Sequence, residues 1–233
     1  MTIINPQVIT IRGRLSWPVW TYDAALKRDA TSKFPAKDKA DVRPSFDLLL
    51  NETQAERIVT HLPDVFLPWC EEQGAKKDKS GLTPAEVKKL TKVINEGEWD
   101  IEGIVGLIKP VHEKSVDLAP EAVMAVTVKG FKGRDLEKKA IVKDVSQLRV
   151  DDGTTVVPSK GMIVDIDDTN LELYPGSIVA ATINLYAFVA GKTPGITAST
   201  GAAIFAADAE RFGGGGTVID EDAIFMDDDE DVA

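Results

Sequence analysis

The sequence has 233 residues and 43% hydrophobic content, enough for one large domain or two small ones with a substantial core. Its single cysteine, Cys70, excludes an internal disulfide, and two histidines, His61 and His112, offer few soft ligands for zinc, so we expect neither structural metal nor cofactor. No stretch approaches the length of a membrane span and the first residues lack a signal-peptide pattern, so a cytoplasmic protein is expected.

The net charge of −11 is unevenly distributed along the chain. Residues 217–233 contain eight acidic residues and no basic ones, so the rest of the chain carries only about −3. Within that rest, residues 12–43 and residues 129–143 each carry about +4. The sequence therefore combines a body bearing basic patches with a detached acidic end.

Residues 7–17 predict the first β-strand, because apolar and polar side chains alternate along them. Arg12 and Arg14 fall on the polar face, whereas the parity of Trp17 places that ring on the core face. Residues 18–44 are polar and rich in Pro and Lys, and they predict a functional loop or an arm that becomes ordered on binding. Residues 46–50 predict the second strand.

Residues 51–118 are interpreted as a helical insertion. Asn51 has the chemistry of an N-cap, and apolar residues at helical spacing follow it until Pro63 interrupts the pattern. Residues 83–86 combine an N-cap threonine, a proline at the first helical position and a capping-box glutamate, which predicts a second helix ending near residue 95.

Strand character returns over residues 122–131, 161–167, 177–189 and 196–207. With no regular βαβ alternation, five or six strands predict a mainly β fold, an OB-fold-like five-stranded Greek-key barrel with a helical insertion. We expect residues 1–212 to form this domain, with the insertion at about 51–118. Residues 213–233 are expected to form a flexible Gly-rich linker and a disordered acidic tail.

A surface that binds single-stranded nucleic acid without reading its sequence needs cations for the phosphates and aromatic faces for the bases. Three of the predicted strands offer both on their outer faces, and the long loop after the first strand interleaves aromatic with basic residues. The candidate DNA-binding residues are Arg12, Arg14, Trp20, Tyr22, Lys27, Arg28, Lys33, Arg43, Lys129, Phe131, Lys132, Arg134, Tyr186 and Phe188.

No pattern in the sequence points to catalysis. A Walker-type glycine loop, a Ser-His-Asp arrangement and an activated cysteine motif are all missing from it. The carboxylates between Asp165 and Asp168 have the spacing of a cation site, but the residues that follow them have turn chemistry, which is the stronger interpretation. We therefore expect that the protein is not an enzyme.

Four features together resemble bacteriophage replication single-stranded DNA-binding proteins, a group with OB-fold members in podophages and in an Enterobacter phage. They are the strand from Ile11 to Trp17, the strand from Pro44 to Leu50, the Tyr174-Pro-Gly176 turn entering a long strand through Tyr186, and the Gly-rich run before the acidic end. The resemblance implies an OB fold and binding of single-stranded DNA in a cleft, for replication and recombination in the cytoplasm of the infected bacterial host.

The same resemblance implies that the tail contacts replication proteins such as a polymerase or a helicase and primase. The tail residues expected to bind partners are Asp220, Glu221, Asp222, Phe225, Asp227, Asp228, Asp229, Glu230 and Asp231. Whether the protein forms a homodimer or a cooperative array on DNA stays open. Two other hypotheses also stay open: a phage structural or adaptor protein whose tail serves assembly, and a nuclease or ligand-binding OB domain that uses Asp165 to Asp168.

Overall fold

A computed structural model describes residues 8–33, 35–36, 38–74, 82–95, 108–109, 119–149, 154–190 and 193–212 of the chain. The β-strands in this part are β1 (Val8–Val19), β2 (Ser45–Leu50), β3 (Ile108–Lys109), β4 (Met124–Lys129), β5 (Glu137–Val142), β6 (Met162–Asp165), β7 (Ile178–Ala190), β8 (Thr193–Ser199) and β9 (Ala202–Ala207). The α-helices in the same part are α1 (Tyr22–Ala30), α2 (Glu52–Gly74) and α3 (Pro84–Asn95).

Five strands close into a barrel. Neighbouring strands pair in the order β1-β2-β4-β8-β7, and β1 also pairs with β7, which completes the ring. All neighbours are antiparallel except β4 and β8, which are parallel. A five-stranded Greek-key barrel of this kind is an OB-type barrel, so the predicted mainly β fold is confirmed.

The core fills the barrel and extends under α2. The alternation along β1 and β7 sends Ile11, Leu15, Ile183 and Leu185 inward, where each is fully buried. Helix α2 packs against β1, β2 and β7 and closes one side of the barrel with its buried apolar face. Within the described part of the chain, no helix is long and apolar enough to cross a membrane.

The strand count differs from the expectation of five or six. Strands β3 and β5 were not predicted, β3 lying within the expected helical insertion, and the region expected to hold one last strand holds β8 and β9. Strand β9 pairs with β7, and β5 and β6 follow beyond it, so the sheet continues past the barrel. Strand β5 escaped prediction because Lys138 and Lys139 interrupt its alternation, although both side chains are half-buried.

The helices confirm two predicted starts and correct two other expectations. Asn51 caps α2 by accepting a hydrogen bond from the Gln54 N–H at 3.0 Å, and Thr83 exchanges hydrogen bonds with Glu86 at the start of α3. Helix α2 nevertheless runs through Pro63, because burial of its apolar face offsets the cost of about 3 kcal/mol for an internal proline. The region predicted to be a long loop contains α1, whose N-cap Thr21 accepts from the Ala24 N–H.

Strand β1 contains an irregularity that reverses one side chain. Its register with β2 shifts between Ser16 and Val19, and Trp17 between them has φ 48°. The bulge turns the indole outward, and 63% of Trp17 is exposed, so the expectation of a core position was wrong. Most of the helical insertion after residue 95, and the whole of the predicted linker and acidic tail, lie outside the described residues. The domain boundaries therefore stay predictions.

Candidate nucleic-acid interface

A cleft of about 1110 Å³ opens on the outer surface of the barrel. One wall is formed by α1 and by the segment that follows it, residues 31–33, 35–36 and 38–44, which we name the arm. The floor is formed by the outer faces of β4, β7 and β8 and the start of β2. The lining residues are Ala25, Arg28, Asp29, Thr31, Ser32, Ala36, Asp41, Val42, Arg43, Ser45, Lys129, Lys132, Tyr186, Phe188 and Thr197.

Strand register assembles the floor. Ser45 of β2 lies opposite Lys129 of β4, and Thr197 of β8 lies opposite Tyr186 of β7. Because side chains alternate along a strand, Tyr186 and Phe188 project from the same face of β7. Both rings are half-buried. The floor therefore places two aromatic rings beside hydroxyl groups and one ammonium group.

Two arginines reach this floor from the wall. Arg28, in the last turn of α1, donates from Nη2 to Ser45 Oγ at 3.0 Å, and Arg43 of the arm donates from Nη1 to Tyr186 Oη at 3.1 Å. A guanidinium has five N–H donors. In the described part of the chain each of these arginines uses only one donor, so both can still bind phosphate oxygens.

The arm is held by two carboxylates. Both oxygens of Asp29 accept hydrogen bonds from the Ala36 N–H, at 3.1 and 3.2 Å. Asp41 forms an ion pair with Lys132, and both of these side chains are more than half exposed. The hydrogen bond from the Lys132 ammonium, with its positive charge, holds the pKa of Asp41 below the usual range of an aspartate. The cleft therefore contains acidic groups as well as basic ones.

The structure brings together six of the residues proposed from the sequence. These residues are Arg28, Arg43, Lys129, Lys132, Tyr186 and Phe188. The sequence alone could not show that these six residues form one site. They come from four separate segments, namely α1, the arm, β4 with the turn that follows it, and β7.

Two other proposed residues lie outside the cleft and make packing or hydrogen-bond contacts within the protein, and their role in binding stays a prediction. The ring of Trp20 packs against Phe46, with 5.9 Å between ring centroids, and belongs to the edge of the core. Arg14 projects outward from β1 as expected, but its side chain is only 13% exposed because the segment from Glu210 to Phe212 covers it. Both sets of contacts join segments that are far apart in the sequence.

Arg14 is the centre of a cluster that we name the anchor. Its guanidinium donates to the carbonyl oxygens of Gly176 at 2.5 Å and Glu210 at 2.6 Å, and to a carboxylate oxygen of Glu121 at 3.2 Å. It also lies 4.7 Å from the centre of the Phe212 ring. All three guanidinium nitrogens of Arg14 are therefore engaged within the protein.

The other proposed residues lie on the surface outside the cleft. Arg12 pairs with Ala180, six residues before Tyr186 on β7, which is roughly 20 Å along the strand. The hydroxyl group of Tyr22 donates to the carbonyl oxygen of Lys39 at 2.9 Å and so supports the arm. The exposed remainder, whose role in binding stays a prediction, is Lys27, Lys33, Phe131 and Arg134.

Sequence reasoning missed the polar part of the cleft. Asp29, Asp41, Ser45 and Thr197 line it but carry no pattern that would single them out. One weak signal was present, because Asp41 and Arg43 are two residues apart in a segment already expected to be functional. The described residues contain no group of three potential metal ligands.

The fold and the cleft together define a class: an OB-type barrel with a cationic and aromatic cleft on its outer surface. In this architecture the second and third strands of the barrel and the adjoining loops form the surface that meets oligonucleotides or oligosaccharides. Here those strands are β2 and β4, and the arm is the first of the loops.

Comparisons with known proteins give structural matches alone, since no family model and no curated protein matches the sequence. The single-stranded DNA-binding protein from bacteriophage Enc34 in complex with ssDNA is similar with a TM-score of 0.45 and 13% identity, covering 90% of this chain and 91% of that one. Gp2.5, a single-stranded DNA-binding protein encoded by bacteriophage T7, is similar with a TM-score of 0.42 and 12% identity, covering 97% of this chain and 98% of that one.

Proposed function

We propose that this protein binds single-stranded DNA in the cleft without reading its sequence. The observation that carries the proposal is the meeting of four cationic side chains and two aromatic rings in one open cleft. Phosphates would be neutralised by Arg28, Arg43 and Lys132, and bases would stack on Tyr186 and Phe188. Stacking accepts any base, because every base has a flat aromatic face.

We extend the proposal to the biological role from features of the sequence. The protein coats and protects single-stranded DNA during phage replication and recombination in the infected bacterial cell, and it catalyses no reaction. Its acidic C-terminal segment recruits replication proteins and competes with DNA for the basic surface. This part rests on the charge segregation along the chain and on the family resemblance of the motifs.

Fluorescence anisotropy with labelled oligonucleotides of several base compositions tests the binding proposal. We expect comparable affinities for all compositions, a site size of roughly 4 to 16 nucleotides, and a salt dependence with a slope of about −0.7 per neutralised phosphate. Arg28→Gln should flatten the slope, whereas Arg57→Gln on the exposed surface of α2 serves as the matched control and should leave it unchanged.

Two results would contradict the proposal. Absence of binding at low salt would show that the protein does not bind single-stranded DNA. Strong preference for one short sequence would show base-specific recognition and not sequence-independent stacking. Cleavage of the oligonucleotide with a divalent ion would instead favour the nuclease hypothesis.

A further inference from the structure

An ion pair that lines the cleft ties the arm to the barrel. Asp41 ends the short 3₁₀ turn Lys39–Asp41 in the arm, and its carboxylate pairs with Lys132, which follows β4. Both side chains line the cleft. A cation of the candidate interface therefore already has an anionic partner supplied by the protein.

We propose that Asp41 is an internal competitor for phosphate, which occupies Lys132 in the free protein and is displaced when a strand binds. This inference rests on the proposed function of the cleft. It assigns Asp41 a direct influence on affinity and on salt dependence, neither of which follows from a cationic cleft alone.

The exchange is physically reasonable because a carboxylate and a phosphate are equivalent acceptors for the ammonium group of Lys132. Carboxylate and phosphate oxygens both accept charge-assisted hydrogen bonds from lysine. The Asp41–Lys132 pair is exposed to solvent on both sides, with 53% and 55% of the side chains accessible, and exposed pairs contribute little to stability. A phosphate held at the same time by Arg28 or Arg43 can therefore replace the carboxylate at small cost.

Displacement changes the ion balance of binding. A phosphate that meets Lys132 releases its condensed counterion, but the freed carboxylate of Asp41 attracts a cation from solution. The net number of ions released is then smaller than the number of phosphates bound. The wild-type protein should therefore show a flatter salt slope than its cationic residues would give without Asp41.

Asp41→Asn tests this inference, since asparagine keeps the size of the side chain and removes its charge. Measured by anisotropy with an oligothymidine probe at low salt, the variant should bind about two to five times more tightly, as expected for removal of an exposed pair. Its salt slope should be steeper by up to about 0.7. Asp38→Asn is the matched control: Asp38 lies on the same arm, outside the cleft lining, and accepts from the Ala40 N–H.

A double-mutant cycle with Lys132→Met separates competition from a general effect of charge. If Asp41 competes for Lys132, Asp41→Asn should have no further effect in the Lys132→Met protein. An equal gain in both backgrounds, or no gain in the wild-type background, would overturn the inference while leaving DNA binding intact. A wild-type protein that binds no oligonucleotide would instead contradict the proposed function itself, so the two failures are distinguishable.

Discussion

Arginine side chains have different roles in the cleft and in the anchor of the same barrel. Both regions place arginine next to aromatic rings on the outer surface. At the anchor, every guanidinium nitrogen of Arg14 donates to an oxygen of the protein. At the cleft, Arg28 and Arg43 each make one hydrogen bond to a hydroxyl group within the described part of the chain. An outward arginine therefore indicates a binding surface only where its donors remain available.

The two regions also differ in what a ligand would meet. The anchor is filled by the protein's own chain, since Arg14 donates to the carbonyl oxygen of Glu210 and lies over the Phe212 ring, and the adjoining Tyr174 hydroxyl group contacts Asp208 and Ala209. The cleft is open and its rings are half-buried. Changes at the anchor should therefore affect stability, and changes at the cleft should affect binding.

The largest expected effect is at Gly176 of the anchor. Its φ of 106° suits glycine, and a Cβ there would overlap the carbonyl oxygen of Glu210 and approach the Phe212 nitrogen to 2.9 Å. Gly176→Ala should lower the free energy of unfolding by roughly 2–6 kcal/mol, combining backbone strain with overpacking. Urea denaturation measures it. Gly133→Ala is the control, because Gly133 also has positive φ but nothing within 4 Å of its Cβ position, and an equal destabilisation there would refute the steric account.

Tyr186 and Trp20 offer a direct contrast between a cleft ring and a core ring. Tyr186→Ala should weaken binding of single-stranded DNA by about 1–3 kcal/mol with little change in stability. Trp20→Ala should instead lower the free energy of unfolding by about 3 kcal/mol and leave the affinity of the folded protein nearly unchanged. Anisotropy and thermal denaturation of both variants separate the two roles. Unchanged affinity in Tyr186→Ala would remove that ring from the interface.

How far the sequence anticipates this structure depends on whether the signal is local. The alternation in β1 and β7 and the capping box at Thr83 are local, and each predicted its element. The bulge at Trp17 and the passage of α2 through Pro63 depend on packing between distant segments. No window of sequence contains that information.

The same distinction explains the site. Tyr186 and Phe188 were recognised as outward aromatics because strand periodicity shows which side chains share a face. Their position beside Arg28 and Arg43 depends on how α1 and the arm pack against the barrel, where Arg28 donates to Ser45 and Arg43 donates to Tyr186. Arg14 looked identical to these arginines in sequence, and only the covering chain at Glu210 and Phe212 distinguishes it.

Replacing arginines in the cleft and in the anchor should have effects of intermediate size, on the salt slope in the first case and on stability in the second. Arg28→Met with Arg43→Met should reduce the magnitude of the salt slope by about 0.7 for each phosphate that is no longer neutralised, at an almost unchanged melting temperature. Arg14→Met should lower the melting temperature and preserve the slope, because its donors face protein oxygens. A reversed pattern, with the slope sensitive to Arg14 alone, would place the interface at the other end of the barrel.

The smallest expected effect is electrostatic and confined to the cleft. The pKa of Asp41 lies below the ordinary aspartate value because of Lys132, so the pair stabilises the fold above the ordinary pKa and loses this contribution as the pH falls through the folded-state pKa. Lys132→Met should raise the pKa of Asp41 toward the ordinary value. A carboxyl carbon NMR titration measures the shift, and an unmoved pKa would show that Lys132 is not the partner in solution.

Photo-crosslinking of single-stranded DNA shows whether a bound strand occupies the cleft. Oligonucleotides containing 5-iododeoxyuridine form covalent bonds to nearby aromatic side chains on irradiation, and mass spectrometry identifies the attachment sites. We expect crosslinks at Tyr186 and Phe188, on the floor of the cleft. Crosslinks confined to the exposed rings outside it, Trp17 and Phe131, would contradict a cleft that binds DNA.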